Sequence, residues 1–305
     1  MSDVVSCPGG CAIAEEMLKY RVKGGFMSVL RSIDFFSKKP DFDFNNIEPN
    51  WCQSRHLRVF WEAVSLITPE AEKYIMRSIR AYLNDPVIKE NPWLEQLIEE
   101  FNAQEREHTV VHTELNKALG IYEIELRSQL QETMQTLTKT LTKIENLAIT
   151  AALEHLFYSV IKLTFIDTEF YKDPTLDEKV LKVFMWHWCE ELEHHSVSIN
   201  LLKQLDNSYK TRILAAQKVL FDFIPACTEI IVAIEKKYSP NVYRYNAAVD
   251  IARITAYFVK GIGVSAKYFD PHYDIIDAGK WTWPYIEAWR TDIGFPGEVM
   301  LIHNG

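Results

Sequence analysis

Four segments of this sequence place apolar residues three and four positions apart, and each segment interrupts that spacing with glutamate or histidine. Such spacing puts the apolar side chains on one face of an α-helix, the face that a folded protein buries. The clearest segment spans residues 91–120, where ionisable groups occupy three successive turns of the face at which a core helix carries leucines. These groups are Glu105, His108 and His112.

The other three segments carry the same interruption. Glu72 extends the face formed by Ile75 and Ile79, and Glu154 lies in the middle of an apolar face within residues 126–169. The stretch WHWCEELEHH, residues 186–195, divides by helical spacing into inward and off-face positions. Its inward positions are His187, Glu191 and His194.

The whole chain is predicted to be all-α. Thr68-Pro69 resembles a helix start, with Thr as the cap and Pro in the first turn. The expected helices cover residues 68–84, 91–120, 126–169, 176–205, 210–237 and 241–265. We expect one domain over residues 1–305. It comprises an N-terminal wrap (1–55), a metal-binding four-helix bundle (56–205), and C-terminal helices with a wrap (206–305).

The inward acids predict a metal centre. A buried carboxylate without a partner costs several kcal/mol, and these apolar faces contain no lysine or arginine to neutralise it. One Glu from each of two helices plus Glu-x-x-His from each of two others is typical of dinuclear carboxylate sites in ferritin-like bundles. The predicted ligands are Glu72, Glu105, His108, Glu154, Glu191 and His194, with two iron ions as the expected cofactor and manganese or zinc as alternatives.

Neighbouring ionisable groups are assigned less directly. His187 is either a seventh ligand or a hydrogen-bond donor to a ligand, and we include it among the metal residues. His112 is the candidate catalytic residue, as a general base, with a supporting or ligating role as the alternative. The remaining groups lie off the inward faces: His155 and His195 are expected to pack between helices, Glu190 and Glu193 to face solvent or a neighbouring helix, and Cys189 not to bind metal.

Charge and composition exclude some classes of protein. The formal net charge of −9, with no basic run, argues against a nucleic-acid binder. The N-terminus lacks the pattern of a signal peptide, and the most apolar stretch is interrupted by polar residues, so no membrane span is expected. Five cysteines without scaffold spacing favour a reducing cytoplasm. Cys7 and Cys11 flank Pro-Gly-Gly. We expect this segment to be a flexible turn, with a redox pair or a metal clip as the alternatives. A homodimer is the default assembly.

With these residues placed, the chain resembles the family of predicted metal-dependent hydrolases, which belongs with ferritin-like proteins. The resemblance covers roughly residues 35–275 and rests on four segments. They are TPEAEKY at 68–74, FNAQEREH at 101–108 followed by His112, LEH at 153–155, and WHWCEELEH at 186–194. Ala71 stands where the family has glycine, and FDPHY at 269–273 matches only in part, so no role is carried onto His272. The metal motifs are also similar to those of di-iron arylamine N-oxygenases.

Three functions fit this pattern. The expected one is a di-iron enzyme that activates O₂ to oxidise a small organic substrate, including by N-oxygenation, with an external electron donor as a further partner. A dinuclear hydrolase is the alternative, in which a water of lowered pKa attacks an ester, amide or phosphate. A non-catalytic protein that binds metal or oxygen is the third. The aromatic residues expected to surround the centre are Phe157, Tyr158, Phe184 and Trp188.

Overall fold

The computed structural model describes residues 41–124, 126–163, 167, 170–238 and 265–273, together with scattered positions between 249 and 260. Within those ranges the chain is helical and contains no β-strand, which confirms the all-α prediction. None of the helices in the described part is long and apolar enough to cross a membrane. Cys7, Cys11, most of the expected helix at 241–265 and most of the C-terminal wrap lie outside the described residues.

The first helix, α1, spans Arg55–Arg80 and begins thirteen residues before the predicted start at Thr68. Pro69 lies inside it, so the prediction of a helix start at Thr68-Pro69 is wrong. Proline has no N–H and its ring crowds the carbonyl four residues earlier, so the carbonyl of Ser65 loses its usual helical donor. A side chain from another helix supplies the replacement, because Asn116 Nδ2 donates to Ser65 O over 2.9 Å.

A short helix α2, Pro86–Lys89, is capped by the Asp85 side chain and leads into α3, Pro92–Ala118. Pro92 occupies the first turn of α3, where a missing N–H costs nothing. The prediction of a helix over 91–120 is therefore confirmed to within two residues at each end.

The helix predicted over 126–169 is two helices, α4 at Leu126–Thr140 and α5 at Lys143–Ile161. The break falls at Thr142, whose hydroxyl accepts from the backbone N–H of Glu145, while the Glu145 carboxylate accepts from the backbone N–H of Thr142. This reciprocal capping box starts a new helix, and Thr-x-x-Glu is its sequence signature. The continuous prediction missed it because the apolar spacing runs across the break.

The helix α6, Glu178–Leu205, agrees with its prediction and is capped by Asp177, whose carboxylate accepts from two backbone N–H groups. It is followed by α7, Tyr209–Lys218, a π-helical turn at Val219–Phe223, and α8, Ile224–Tyr238. Residues 210–237, expected as one helix, are therefore helical with a wider turn just before Pro225.

Four helices surround the buried ionisable groups: α1 packs against α3, α5 packs against α6, and α1–α5 and α3–α6 contacts complete the arrangement. Aromatic rings connect α1 to α6, with Trp61 4.2 Å from Trp188 and Trp188 stacked on Phe184 at 5.1 Å between ring centroids. The segment 41–54 lies against this bundle, and Trp51 Nε1 donates to the buried Glu62 carboxylate over 3.0 Å. The interior is thus apolar around a polar centre.

Candidate metal centre

All seven predicted metal residues are buried in one place, between α1, α3, α5 and α6. Glu72 comes from α1 and Glu154 from α5. The other five come from α3 and α6: Glu105, His108, His187, Glu191 and His194. The ion pairs of these acids are with histidines, and no lysine or arginine in the described ranges pairs with them.

Six of the seven residues form two overlapping groups, in which one ligand atom from each residue lies within 4.8 Å of the others. One group is Glu72, His108, His187 and Glu191; the other is Glu105, His108, Glu191 and His194. Two groups that share Glu191 and His108 could hold two cations side by side.

The distances within each group suit a common cation. His187 Nε2 lies 3.0 Å from Glu191 Oε1 and 3.6 Å from Glu72 Oε1. In the other group, His194 Nδ1 lies 3.0 Å from Glu105 Oε1 and 3.3 Å from Glu191 Oε1. Ligands bonded at about 2.0–2.2 Å to one ion are separated from each other by about 3 Å.

Glu154 lies outside the two groups but close enough to Glu191 and His194 for their charges to change its pKa. Neither of its carboxylate oxygens, and neither oxygen of Glu72, has a hydrogen-bond partner in the described part of the chain. Buried carboxylates left in this state favour a cation among them. The mixture of carboxylate and imidazole suits zinc, manganese or iron, so the residues present fit a dinuclear metal site.

Burial and neighbouring charged groups shift the pKa values of the ionisable residues in this cluster. Burial raises the pKa of Glu72, Glu105 and Glu154 well above the usual range. Burial opposes ionisation of Glu191 too, but hydrogen bonds with His187 and His194 outweigh it and lower its pKa to about 2. Burial disfavours the charged form of His194, yet Glu191 and other nearby acids raise its pKa to about 9.

Each of the three predicted histidine ligands is fixed from outside the cluster. His108 Nε2 lies 2.9 Å from Glu190 Oε2, and His194 Nε2 lies 2.9 Å from Gln104 Oε1. His187 Nδ1 lies 2.8 Å from the Nε2 of His112. The other nitrogen of each ring faces the carboxylates. A hydrogen bond at the outer nitrogen determines which nitrogen is free to bind metal.

Two of the residues that bond to the outer histidine nitrogens, Glu190 and Gln104, were not identified as functional from the sequence. Glu190 was expected to face solvent or a neighbouring helix; it is buried, and accepts from Trp186 Nε1 over 3.1 Å as well as contacting His108 of α3. Both residues immediately precede a predicted ligand and lie about 100° from it around the helix. The sequence did offer one signal that Glu190 is buried. The stretch WHWCEELEHH lies between apolar segments, and α6 is buried on every side there.

His112, the candidate general base, is buried one turn beyond His108 and belongs to neither four-residue group. Both of its nitrogens have partners, His187 Nδ1 on one side and Ser65 Oγ at 2.8 Å on the other. His155 of α5 and His195 of α6 both stack against the ring of Tyr158, as expected of residues that pack between helices. Cys189 is buried, and neither metal group includes it.

An all-α bundle that buries two overlapping groups of Glu and His is typical of metal-dependent proteins. The chain belongs to the family described as predicted metal-dependent hydrolase, whose model matches residues 37–274. No curated protein and no solved structure matches the chain. Membership in this family indicates an enzyme and confirms the resemblance found in the sequence; the link to ferritin-like proteins stays a prediction.

The family also corrects the expected function. An O₂-activating di-iron enzyme was the principal expectation, and it is wrong because the family is described by hydrolysis, which was the alternative. The reason to expect O₂ and an electron donor as partners disappears with it. What the centre and the family support together is a dinuclear metal site.

Proposed function

We propose that this protein is a dinuclear metal-dependent hydrolase. The observation that carries the proposal is the pair of overlapping ligand groups in the chain of a metal-dependent hydrolase family. Glu72 and His187 would hold one cation, Glu105 and His194 the other, with Glu191 and His108 between them and Glu154 beside them. When bound there, two divalent cations supply Lewis acidity, which acidifies water and polarises the bond to be cleaved.

The chain's own residues prepare the site for this chemistry. Burial of the acids excludes bulk water and strengthens every electrostatic interaction within the centre. The three imidazoles donate hydrogen bonds to Glu190, Gln104 and His112, and these bonds hold the rings in fixed orientations before a ligand binds. Glu154 has two oxygens without hydrogen bonds next to the paired groups, and we propose that its ionised carboxylate takes up a proton during turnover.

Charge favours an uncharged substrate. Four carboxylates balance the charge of two divalent cations, so no excess positive charge remains to attract a phosphate. The ion pairs of the centre contain no arginine or lysine within the described ranges, and such side chains are what phosphate sites use. We therefore propose a small neutral ester or amide as the substrate.

The test begins with chelator-treated protein reloaded with Zn²⁺, Mn²⁺ or Fe²⁺. Bound metal is counted, and hydrolysis is assayed with chromogenic esters, anilides and phosphate esters. We expect two ions per chain and cleavage of an uncharged ester or anilide, lost on chelation and in Glu191→Gln. The matched control is Glu70→Gln, because Glu70 is equally buried on α1 but pairs with Lys73 and Arg127 outside the centre. A fully loaded protein that cleaves none of these substrates contradicts the proposal.

A further inference from the structure

A line of buried polar side chains leads away from the metal centre beyond His112, which contacts His187. It runs from His187 to His112, Ser65 and Asn116, with successive contacts of 2.8, 2.8 and 2.7 Å. Asn116, Ser65 and His112 are fully buried. Three such groups inside an apolar bundle each cost free energy unless their hydrogen bonds are made.

The direction of donation in this line is set at its far end. The carbonyl of Ser65 lacks a helical donor because Pro69 has no N–H, and Asn116 Nδ2 donates to it over 2.9 Å. A carbonyl can only accept, so the amide of Asn116 must turn its nitrogen towards it. Asn116 Oδ1 then faces Ser65 Oγ, and the Ser65 hydroxyl donates its one proton there.

The remaining donations follow in sequence. Since the Ser65 proton is used, Ser65 Oγ can only accept from His112, which must carry a proton on Nδ1. The Nε2 of neutral His112 then has a lone pair and accepts from Nδ1–H of His187. The other nitrogen of His187, Nε2, is left to face Glu191 at 3.0 Å and Glu72 at 3.6 Å.

We propose that Asn116, Ser65 and His112 form a positioning relay that fixes His187 as an Nε2 ligand of the Glu72 half of the metal centre. His112 acts through His187 in this arrangement and does not itself contact substrate. The inference rests on the proposed metal centre. It does not depend on the substrate or on hydrolysis, so metal binding and imidazole protonation test it separately from the proposed function.

Removing a link of the relay tests the effect on metal binding. Loss of such a supporting hydrogen bond typically weakens metal affinity by about 10- to 100-fold. We expect this loss in Ser65→Ala and in His112→Leu for one of two bound Co²⁺ ions, measured by competition with a chelator, with a matching change in the Co²⁺ absorption spectrum. His112→Gln should restore affinity, because its amide can donate to Ser65 and accept from His187.

Ser78→Ala is the matched control. Ser78 is also buried on α1, but its hydroxyl bonds to Ile75 O and Thr150 and reaches no histidine. The control should have the same Tm as Ser65→Ala, measured by circular dichroism, and should keep its affinity for both Co²⁺ ions. Equal affinities in Ser65→Ala, His112→Leu and the control would overturn the proposal, as would a His112→Gln variant that is folded and as weak as His112→Leu.

Protonation is measured directly on the Zn²⁺-loaded protein labelled with ¹⁵N-histidine. Two-bond ¹H–¹⁵N correlations should show His187 protonated at Nδ1 and metal-bound at Nε2, and His112 protonated at Nδ1 with a bare Nε2. His187→Asn and His112→Gln assign the signals. A His187 ring bound to metal through Nδ1, or a His112 ring protonated at Nε2, refutes the relay even where a variant fails to fold.

Discussion

Loading the centre with metal should release protons, and the structure indicates which groups give them up. Burial raises the pKa of Glu72, Glu105 and Glu154 well above the ordinary value of a carboxyl group, which favours the protonated form of each. His194, with a pKa of about 9, also carries a proton, whereas Glu191, with a pKa of about 2, is already ionised. Burial disfavours the charged form of His187, yet its hydrogen bonds with Glu191 and Glu72 raise its pKa too. Metal binds the deprotonated forms, so two cations should displace several protons.

The count is measurable by isothermal titration calorimetry of Zn²⁺ into chelator-treated protein at pH 7. Two buffers of different ionisation enthalpy are compared, and the difference in observed heat gives the number of protons released. Because raised carboxyl pKa values mean protons that metal must displace, the apparent affinity should rise with pH from 6 to 8. Glu154→Gln should release about one proton fewer than the parent chain.

The result that would refute this reasoning is metal binding with release of fewer than about one proton. The acids would then be ionised in the metal-free protein, and burial would not control the charge of the cluster. A Glu154→Gln variant that releases as many protons as the parent would exclude Glu154 alone from the protonated set.

Three further predictions concern stability and positioning. At a free metal concentration of about 100 times the Kd, each bound ion adds about 2.7 kcal/mol to the free energy of unfolding. Chelation should therefore lower the Tm by several degrees, and an unchanged Tm would contradict a metal site in the core. Glu190→Leu leaves His108 Nε2 without its carboxylate and should weaken metal binding about 10- to 100-fold in a chelator competition, with full affinity as the opposing result. Thr142→Ala removes the cap of α5 and should cost about 0.5–2 kcal/mol in a denaturant titration, with metal content intact; no loss of stability would argue against the capping box.

Helical spacing was sufficient to place three acids of the candidate centre on buried helix faces. Glu72, Glu105 and Glu154 come from three helices far apart in the sequence, yet each was placed on a buried face by its neighbours three and four residues away. Spacing works here because a helix that contributes to a core must bury a continuous stripe, so an acid within that stripe is conspicuous.

The same rule fails where a helix is buried all round or where a proline lies within it. Around Glu190, α6 has no exposed face, so position on the helix no longer separates inside from outside. Pro69 was taken as a helix start because proline is common there, but packing of α1 against α3 extends the helix back to Arg55. Partners such as Asn116 and Ser65 lie 51 residues apart in the sequence, and only the packed structure brings them together.

His108 belongs to both ligand groups, and this makes the two halves of the centre unequal. An imidazole nitrogen has one lone pair, and Nε2 of His108 is occupied by Glu190, so Nδ1 can serve only one ion. Among the six residues of the two groups, the half that gains His108 has one more ligand than the other. The chain should therefore bind one cation more tightly than the other, so that the weaker-bound cation exchanges while the first stays bound. Titration with two affinities is the expected signature, and two identical binding steps would contradict it.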